Sequence, residues 1–279
     1  MTYKLIAVDM DDTLLSNDLT ISSGNAQALK AACALGVQVV LCSGREMYSM
    51  MGFARQLGMI EYMVTYNGGA ACRVDTGEQL FEHRVDAKTV RLLIDIGRRF
   101  DLPPQIYTEQ GLLVECYNER VRYYEHEAFV EAAVVDDLKA HAAEGSLKVL
   151  FNADPAQLAK VQEAAQSLAG EAFDMFYSKP CYLEFVSIAC NKGKTLSSLA
   201  DRLGISADEI IAVGDSFNDL SMLRMAGMGV AMANAHPDIR RAADYITQSD
   251  NNHDGVAEVV ERFILSGAHR ARAAEKENE

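Results

Sequence analysis

The chain has no paired-cysteine motif, no long apolar run and no excess of basic charge. Its six cysteines (Cys33, Cys42, Cys72, Cys116, Cys181 and Cys190) are scattered, without a CxxC. That usage argues against a zinc site or a disulfide framework and suits buried thiols in a reducing cytoplasm. No stretch of about 18 apolar residues occurs, so no transmembrane helix is expected. The first residues enter an apolar strand pattern with no basic n-region or cleavage pattern, so no secretory leader is expected. Basic residues number 26 against 40 acidic ones, a formal net charge of −14. This argues against a general nucleic-acid or anionic-membrane surface. A small anionic substrate is still compatible, because a bound metal and a few local cations reverse the sign at one site. No internal repeat is visible. His83, His126, His236 and His253 have no ligand spacing and read as surface or structural residues.

What is present begins at residues 4–15, KLIAVDMDDTLL, an apolar run that ends abruptly on Asp9, Asp11 and Asp12. Such a run reads as a strand buried on both faces. Its carboxyl end is where open α/β sheets place ligands. Crowded carboxylates there shift one another's pKa, and a hard cation such as Mg²⁺ relieves them. The bland alternative is an Asp-rich turn.

The 279 residues, 49% hydrophobic, fit one large domain or two ordinary ones. Strand and helix patterns alternate in the first third: Leu5–Val8, a helix over 22–35, a strand over 37–42, a helix over 45–57 and a strand over 63–66. Cys72–Val85 reads as a hairpin around Asp75-Thr76-Gly77. The middle changes to a helix-plus-antiparallel-strand unit, and the βα alternation resumes at Asn191. We therefore expect an α/β fold: a doubly wound parallel-sheet core of residues 1–84 and 188–279, with an inserted α+β domain of residues 85–187. The two crossings between them are expected hinges. The final run AHRARAAEKENE is expected to be a solvated tail.

Four short segments fall at strand ends or helix starts. They are Asp9-Met10-Asp11-Asp12-Thr13, Cys42-Ser43-Gly44-Arg45, Asn191-Lys192-Gly193-Lys194 and Gly214-Asp215-Ser216-Phe217-Asn218-Asp219. A doubly wound sheet brings them to one rim. Together they suffice for phosphoryl transfer to a carboxylate. Asp9 can serve as nucleophile and Asp11 as proton donor, then acceptor. Mg²⁺ between Asp9, a backbone carbonyl and Asp215 offsets anionic repulsion. Ser43, backbone amides and Lys192 can hold the transferring oxygens. Blander roles stand beside these: Asp215, Asp219 and Ser43 also fit helix caps, and Lys192 a solvated helix start. Arg45 either reaches substrate or braces a carboxylate.

These segments resemble the four motifs of the haloacid dehalogenase (HAD) superfamily. DMDDTLL is similar to its first motif, usually DxDGTLL, VVLCSGR to the second, NKG to the third and GDSFNDLSML to the fourth. TYNGGA (65–70) is similar to the TxNGA stretch of the Cof-type sugar-phosphatase-like group, which carries a large α/β cap. The resemblance spans essentially the whole chain. It implies that Asp9 is the nucleophile and a Mg²⁺ ligand. Asp11 is implied as general acid/base, with its backbone carbonyl a ligand, and Ser43 and the Gly44 amide as phosphate binders. It further implies that Lys192 neutralises charge and that Asp215 ligates Mg²⁺. Asp219 would hold metal-bound waters, and Asn218 would touch phosphate or substrate. Asp12 departs from the pattern, standing where glycine is usual; aspartate tolerates a positive φ better than most residues. The expectation is a cytoplasmic Mg²⁺-dependent phosphomonoesterase, monomer or homodimer, acting on small phosphorylated metabolites such as sugar phosphates. A phosphomutase and a phospho-receiver or ligand-binding module without turnover remain open on the sequence.

Overall fold

The computed structural model describes residues 3–169 and 172–266; the run AHRARAAEKENE lies outside them. Strand β1 (Leu5–Asp9) is buried throughout. Helix α1 (Ser23–Ala34) begins where the Ser22 hydroxyl accepts from Asn25 N at 3.1 Å. β2 (Gln38–Cys42) leads to α2 (Met47–Leu57), which Gly58 ends in the left-handed region (φ 74°). β3 (Tyr62–Thr65), β4 (Ala70–Arg73) and β5 (Gln79–Glu82) follow. Asp86 caps α3 (Ala87–Arg99) by accepting from Lys88 N and Thr89 N. Next come β6 (Gln105–Thr108), β7 (Gly111–Val114), α4 (Glu119–Ala128), β8 (Ala132–Val134), β9 (Val149–Asn152) and α5 (Pro155–Ala169). β10 (Phe173–Lys179) and β11 (Tyr182–Ser187) close this stretch. The chain ends its described course with α6 (Lys192–Leu203), β12 (Ile210–Gly214), α7 (Leu220–Met225) and β13 (Met228–Ala231). α8 (Pro237–Ala242), β14 (Tyr245–Ile246) and α9 (Gly255–Val260) complete it.

Two compact units result: one takes the chain up to Leu80 and again from Lys192, the other is Phe81–Asn191. In the first, the sheet order is β14-β13-β12-β1-β2-β3-β4-β5. The strands from β14 to β3 pair in parallel. LIAVD and IIAVG, both fully buried, are the continuous apolar runs that a sheet covered on both faces requires. The chain leaves β1 toward β2 and returns on its other side as β12, so the topological switch point lies at β1. Register fixes what meets there: Asp9 pairs with Cys42, and Val8 with Val213. The residues that follow β1, β2 and β12 therefore emerge at one rim. This is the doubly wound α/β core that the alternation implied.

The second unit has the sheet order β10-β11-β9-β6-β7-β8. One sheet face packs with α3 and α5 around Val90, Leu93, Leu158, Val161, Phe151 and Phe185. Phe185 meets Phe151 and Phe173 edge-to-face, at 5.6 and 4.9 Å between centroids. Tyr182 and Glu184 alternate with these core positions and are also buried, as are Tyr107 and Lys148. Lys148 Nζ lies 3.3 Å from Tyr124 Oη and 3.5 Å from Glu184 Oε1, and 5.0 Å from the Tyr107 ring centroid. Among the described residues no helix is long and apolar enough to cross a membrane.

Some elements differ from the sequence reading. β8 was not foreseen; it pairs in parallel with β7, Leu112 opposite Ala132, and its three residues carry no strand-like alternation. α4 ends at Phe129 in the left-handed region (φ 55°), a stop that no glycine announced. The pattern over 217–226 reads as one helix, but the structure divides it into a tight turn, Phe217–Asp219, and α7.

One close approach is needed to seat α6 on α7. A Cβ on Gly193 would stand 2.3 Å from the Ser221 carbonyl oxygen, whereas one on exposed Gly52 in α2 would meet nothing within 4 Å. Gly193→Ala should therefore cost about 1–3 kcal/mol. Gly52→Ala should add up to about 1 kcal/mol through helix propensity. Thermal unfolding of the two variants should shift in opposite directions.

Candidate active site

Every residue named for the site from the sequence, Asp9, Asp11, Ser43, Gly44, Lys192, Asp215, Asn218 and Asp219, lies in the first unit. Asp9 closes β1 and is 4% exposed. Lys192 opens α6 and is fully buried, whereas Lys194 is exposed. Its ammonium donates to Asp9 Oδ1 at 2.5 Å and to Asp219 Oδ1 at 2.6 Å. Asp219 accepts through Oδ2 from the amides of Asp215 and Ser216, both at 3.0 Å. Whereas its side chain does not cap α7, Asp219 thus closes a capping box on the Phe217–Asp219 turn alongside its pairing with Lys192. Gly214 is needed beneath it, since a Cβ there would fall 2.5 Å from the Asp219 side chain.

Carboxylate oxygens of Asp9, Asp215 and Asp219 lie within 4.8 Å of one another. Burial, then the Asp219 carboxylate, pushes Asp9 up to about 8; Lys192 pulls the other way and Asp11 adds to the rise. Burial, then Asp9 and Asp219, likewise raises Asp215 well above the usual carboxylate range, against the Thr13 hydroxyl that donates to its Oδ1 at 3.0 Å. Burial pulls Lys192 down, but Asp219 and Asp9 outweigh it and hold the ammonium charged. One cation thus serves a cluster that holds more negative charge than it neutralises. An all-oxygen donor set with surplus charge fits a hard divalent ion such as Mg²⁺.

The turn after β1 carries Asp11 and Asp12. Asp12 adopts φ 56°, ψ 11°, the left-handed conformation usually left to glycine, with its side chain exposed. Its carbonyl accepts from Asn234 Nδ2 at 2.7 Å. Asp11 accepts a forked pair of bonds from Arg45, Nε to Oδ2 at 2.9 Å and Nη2 to Oδ1 at 2.7 Å. Between the two sequence readings of Arg45, the structure chooses the brace.

Ser43 follows β2 and is buried; its hydroxyl accepts from Arg45 N at 3.2 Å. It does not cap α2, where Glu46 stands at the cap position. Gly44 abuts Asn67, whose amide side chain would lie 2.8 Å from a Cβ at that position. Asn67 Oδ1 in turn accepts from Asn218 Nδ2 at 2.8 Å. Tyr66 and Asn67 both have positive φ, 52° and 56°. Thr195 Oγ1 donates to Gly68 O at 2.7 Å and ties this loop to the helix that carries Lys192.

Thr13, Asn67, Thr195 and Asn234 were assigned no role from the sequence. Thr13 and Asn67 sit inside segments that were singled out, which was the available signal. Thr195 and Asn234 act through distant carbonyls and left none. Burial pushes the Cys42 thiol, beside Asp9 in the sheet, up to about 12, in keeping with a protonated structural cysteine.

A family model described as haloacid dehalogenase-like hydrolase matches residues 6–260. The Bacillus subtilis protein YxeH is 32% identical over 270 residues, 95% of this chain and 99% of its own length. The 5-amino-6-(5-phospho-D-ribitylamino)uracil phosphatase YcsE of the same organism is 28% identical over 263 residues, 94% of this chain and 96% of its own. A solved haloacid dehalogenase-like hydrolase from Bacteroides thetaiotaomicron superposes with a TM-score of 0.86 at 32% identity, covering 94% of this chain and 99% of that one. The chain belongs to the haloacid dehalogenase-like hydrolase family, as one of its phosphatases.

The raised carboxylates make a pH prediction with a definite sign. Asp9 and Asp215 bind protons more tightly folded than unfolded, where 3.8 is the ordinary value. Their contribution is fully present below about pH 4 and is lost as pH rises, through about 8 for Asp9. Without metal the melting temperature should therefore fall across this range, and Mg²⁺ should raise it more at pH 8 than at pH 5. Asp215→Asn should melt higher without metal and lose the Mg²⁺ response in a scanning fluorimetry titration.

Proposed function

We propose that this protein is a Mg²⁺-dependent phosphomonoesterase that hydrolyses small phosphorylated metabolites, sugar phosphates among them, through an aspartyl-phosphate on Asp9. The cluster of buried Asp9, Lys192 and Asp219 with half-buried Asp215 carries the reading. A nucleophilic carboxylate must meet an anionic phosphoryl group, and the cluster holds one fixed cation and an oxygen donor set for another.

The residues divide the work as follows. Asp9 attacks phosphorus, and the bond from phosphorus to the substrate oxygen breaks. Asp11 gives its proton to the leaving alkoxide, then takes one from the water that attacks the aspartyl-phosphate. The second displacement frees Asp9 and inorganic phosphate. The Ser43 hydroxyl, which accepts from Arg45 N, donates a hydrogen bond to a phosphoryl oxygen beside the Gly44 amide. Lys192 opposes the rise that burial imposes on Asp9 and faces the transferring group. Asn218, steadied by Asn67, donates to phosphate or substrate. Asp9, the Asp11 carbonyl and Asp215 would hold Mg²⁺, and Asp219 its waters. When bound, the ion offsets charge on nucleophile and phosphate.

The inserted unit is read as the family's cap domain, since it interrupts the core between the second and third motifs. The substrate class is supported by YcsE, which is named for a substrate that carries a phosphate on a ribityl chain. A cytoplasmic setting is supported by six cysteines, none of which forms a disulfide.

A phosphate-release screen over sugar and polyol phosphates, with Mg²⁺ or with chelator, tests this. Release should require Mg²⁺. Asp9→Asn keeps an acceptor for Lys192 and should fold normally while phosphate release disappears. Wild-type rates in that variant would sink the mechanism. Substrate isomerisation with little free phosphate would instead identify a mutase.

A further inference from the structure

We propose that Arg45 is a positioning residue that aims the Asp11 carboxyl at the oxygen of the leaving group; this rests on the reading of Asp11 as proton donor. The two residues are unequally held. Asp11 lies on the irregular turn after β1, next to the left-handed Asp12, and its side chain is 34% exposed. A carboxylate there has several open rotamers. The Arg45 side chain is only 5% exposed. Its Nη1 donates to Ser49 Oγ at 3.2 Å, and its guanidinium lies 5.9 Å from the Phe53 ring centroid, both on α2. Its backbone is fixed as well, since its amide donates to Ser43 Oγ and its carbonyl accepts from Tyr66 N at 3.0 Å.

The guanidinium therefore transmits the rigidity of α2 to a side chain that has little of its own. An exposed single-point pair would do less, because long side chains lose entropy to hold one contact. Two parallel hydrogen bonds to both carboxylate oxygens fix the plane of the carboxyl as well as its distance. Each oxygen keeps a second lone pair beyond the fork, where a transferable proton can sit. Orientation matters for this step, since proton transfer to the alkoxide depends on hydrogen-bond geometry at the leaving oxygen.

The leaving group supplies a test specific to that role. An alkyl phosphate needs a proton on departure, whereas p-nitrophenyl phosphate releases a stable phenolate. The value of kcat/KM covers the steps up to that departure and omits hydrolysis of the aspartyl-phosphate. In Arg45→Met, kcat/KM should fall for both esters, and at least about tenfold further for the alkyl one, within the range of general-acid effects. Arg45→Lys keeps the charge without the fork and should shift the ratio the same way. In an Asp11→Asn background, Arg45→Met should shift the ratio no further, because both changes remove one function. If Arg45→Met fails to fold, Ser49→Ala removes the hydrogen bond that ties the guanidinium to α2 and should move the ratio in the same direction. An unchanged alkyl-to-aryl ratio in the folded variants overturns the proposal and places Arg45 on the phosphoryl group, which both esters share. A wild-type protein that hydrolyses neither ester overturns the functional reading first.

Discussion

The Lys192 ammonium, shared between Asp9 and Asp219 with almost no water around it, is the interaction on which the rest of the site depends. A charge withdrawn from water must be paired and hydrogen-bonded, so each partner restricts the others. Asp219 fixes Lys192 from behind, and the amides of Asp215 and Ser216 fix Asp219. The turn after β12 is thereby locked to the end of β1. Such a triad is a poor device for stability, because desolvation offsets much of the Coulomb gain. Its surplus negative charge disfavours the empty site and favours an incoming cation. Under the proposed mechanism, stability is given up where the reaction needs poised carboxylates.

Around this charged centre the site is braced by uncharged polar groups and by backbone in uncommon conformations. Thr13 steadies Asp215, and Asn67 joins the Gly44 turn to Asn218. Asn234 holds the Asp12 carbonyl. Tyr66, Asn67 and Asp12 all occupy the left-handed region. Asparagine and aspartate tolerate it; tyrosine pays more, and such strain persists only where surrounding contacts over-determine it. Here those contacts include the Tyr66 amide on Arg45 O, the Asn67 amide on Ser43 O and Thr195 on Gly68 O. The same loop that shapes the Gly44 turn also seats the helix that delivers Lys192.

Most of the first unit was legible because its central strands are buried on both faces and so read as unbroken apolar runs. Ser22, Gly58 and Asp86 mark helix ends with local chemistry that does not depend on the rest of the fold. β8 was not legible, because a short edge strand holds its place through β7 rather than through its own residues. Nor was the burial of Lys148 and Glu184. Alternation along a strand distinguishes two faces but does not tell whether the second meets water or, as here, Tyr107 and Tyr124.

The sequence by itself determined the chemistry available: which carboxylates, which lysine, and the strand ends that deliver them to one rim of a parallel sheet. It also allowed Asp12 a positive φ, since few side chains other than aspartate fit there. Only the tertiary structure decided how those groups are paired. The pairing of Lys192 with both Asp9 and Asp219, while Lys194 half a turn on stays exposed, was not in the sequence. Arg45 had two possible partners in the sequence, and the packing of α2 gave it Asp11. The physical reason is common to both cases. Local propensity and pattern act over a few residues, whereas desolvation and hydrogen-bond pairing are set by neighbours that folding brings from far along the chain.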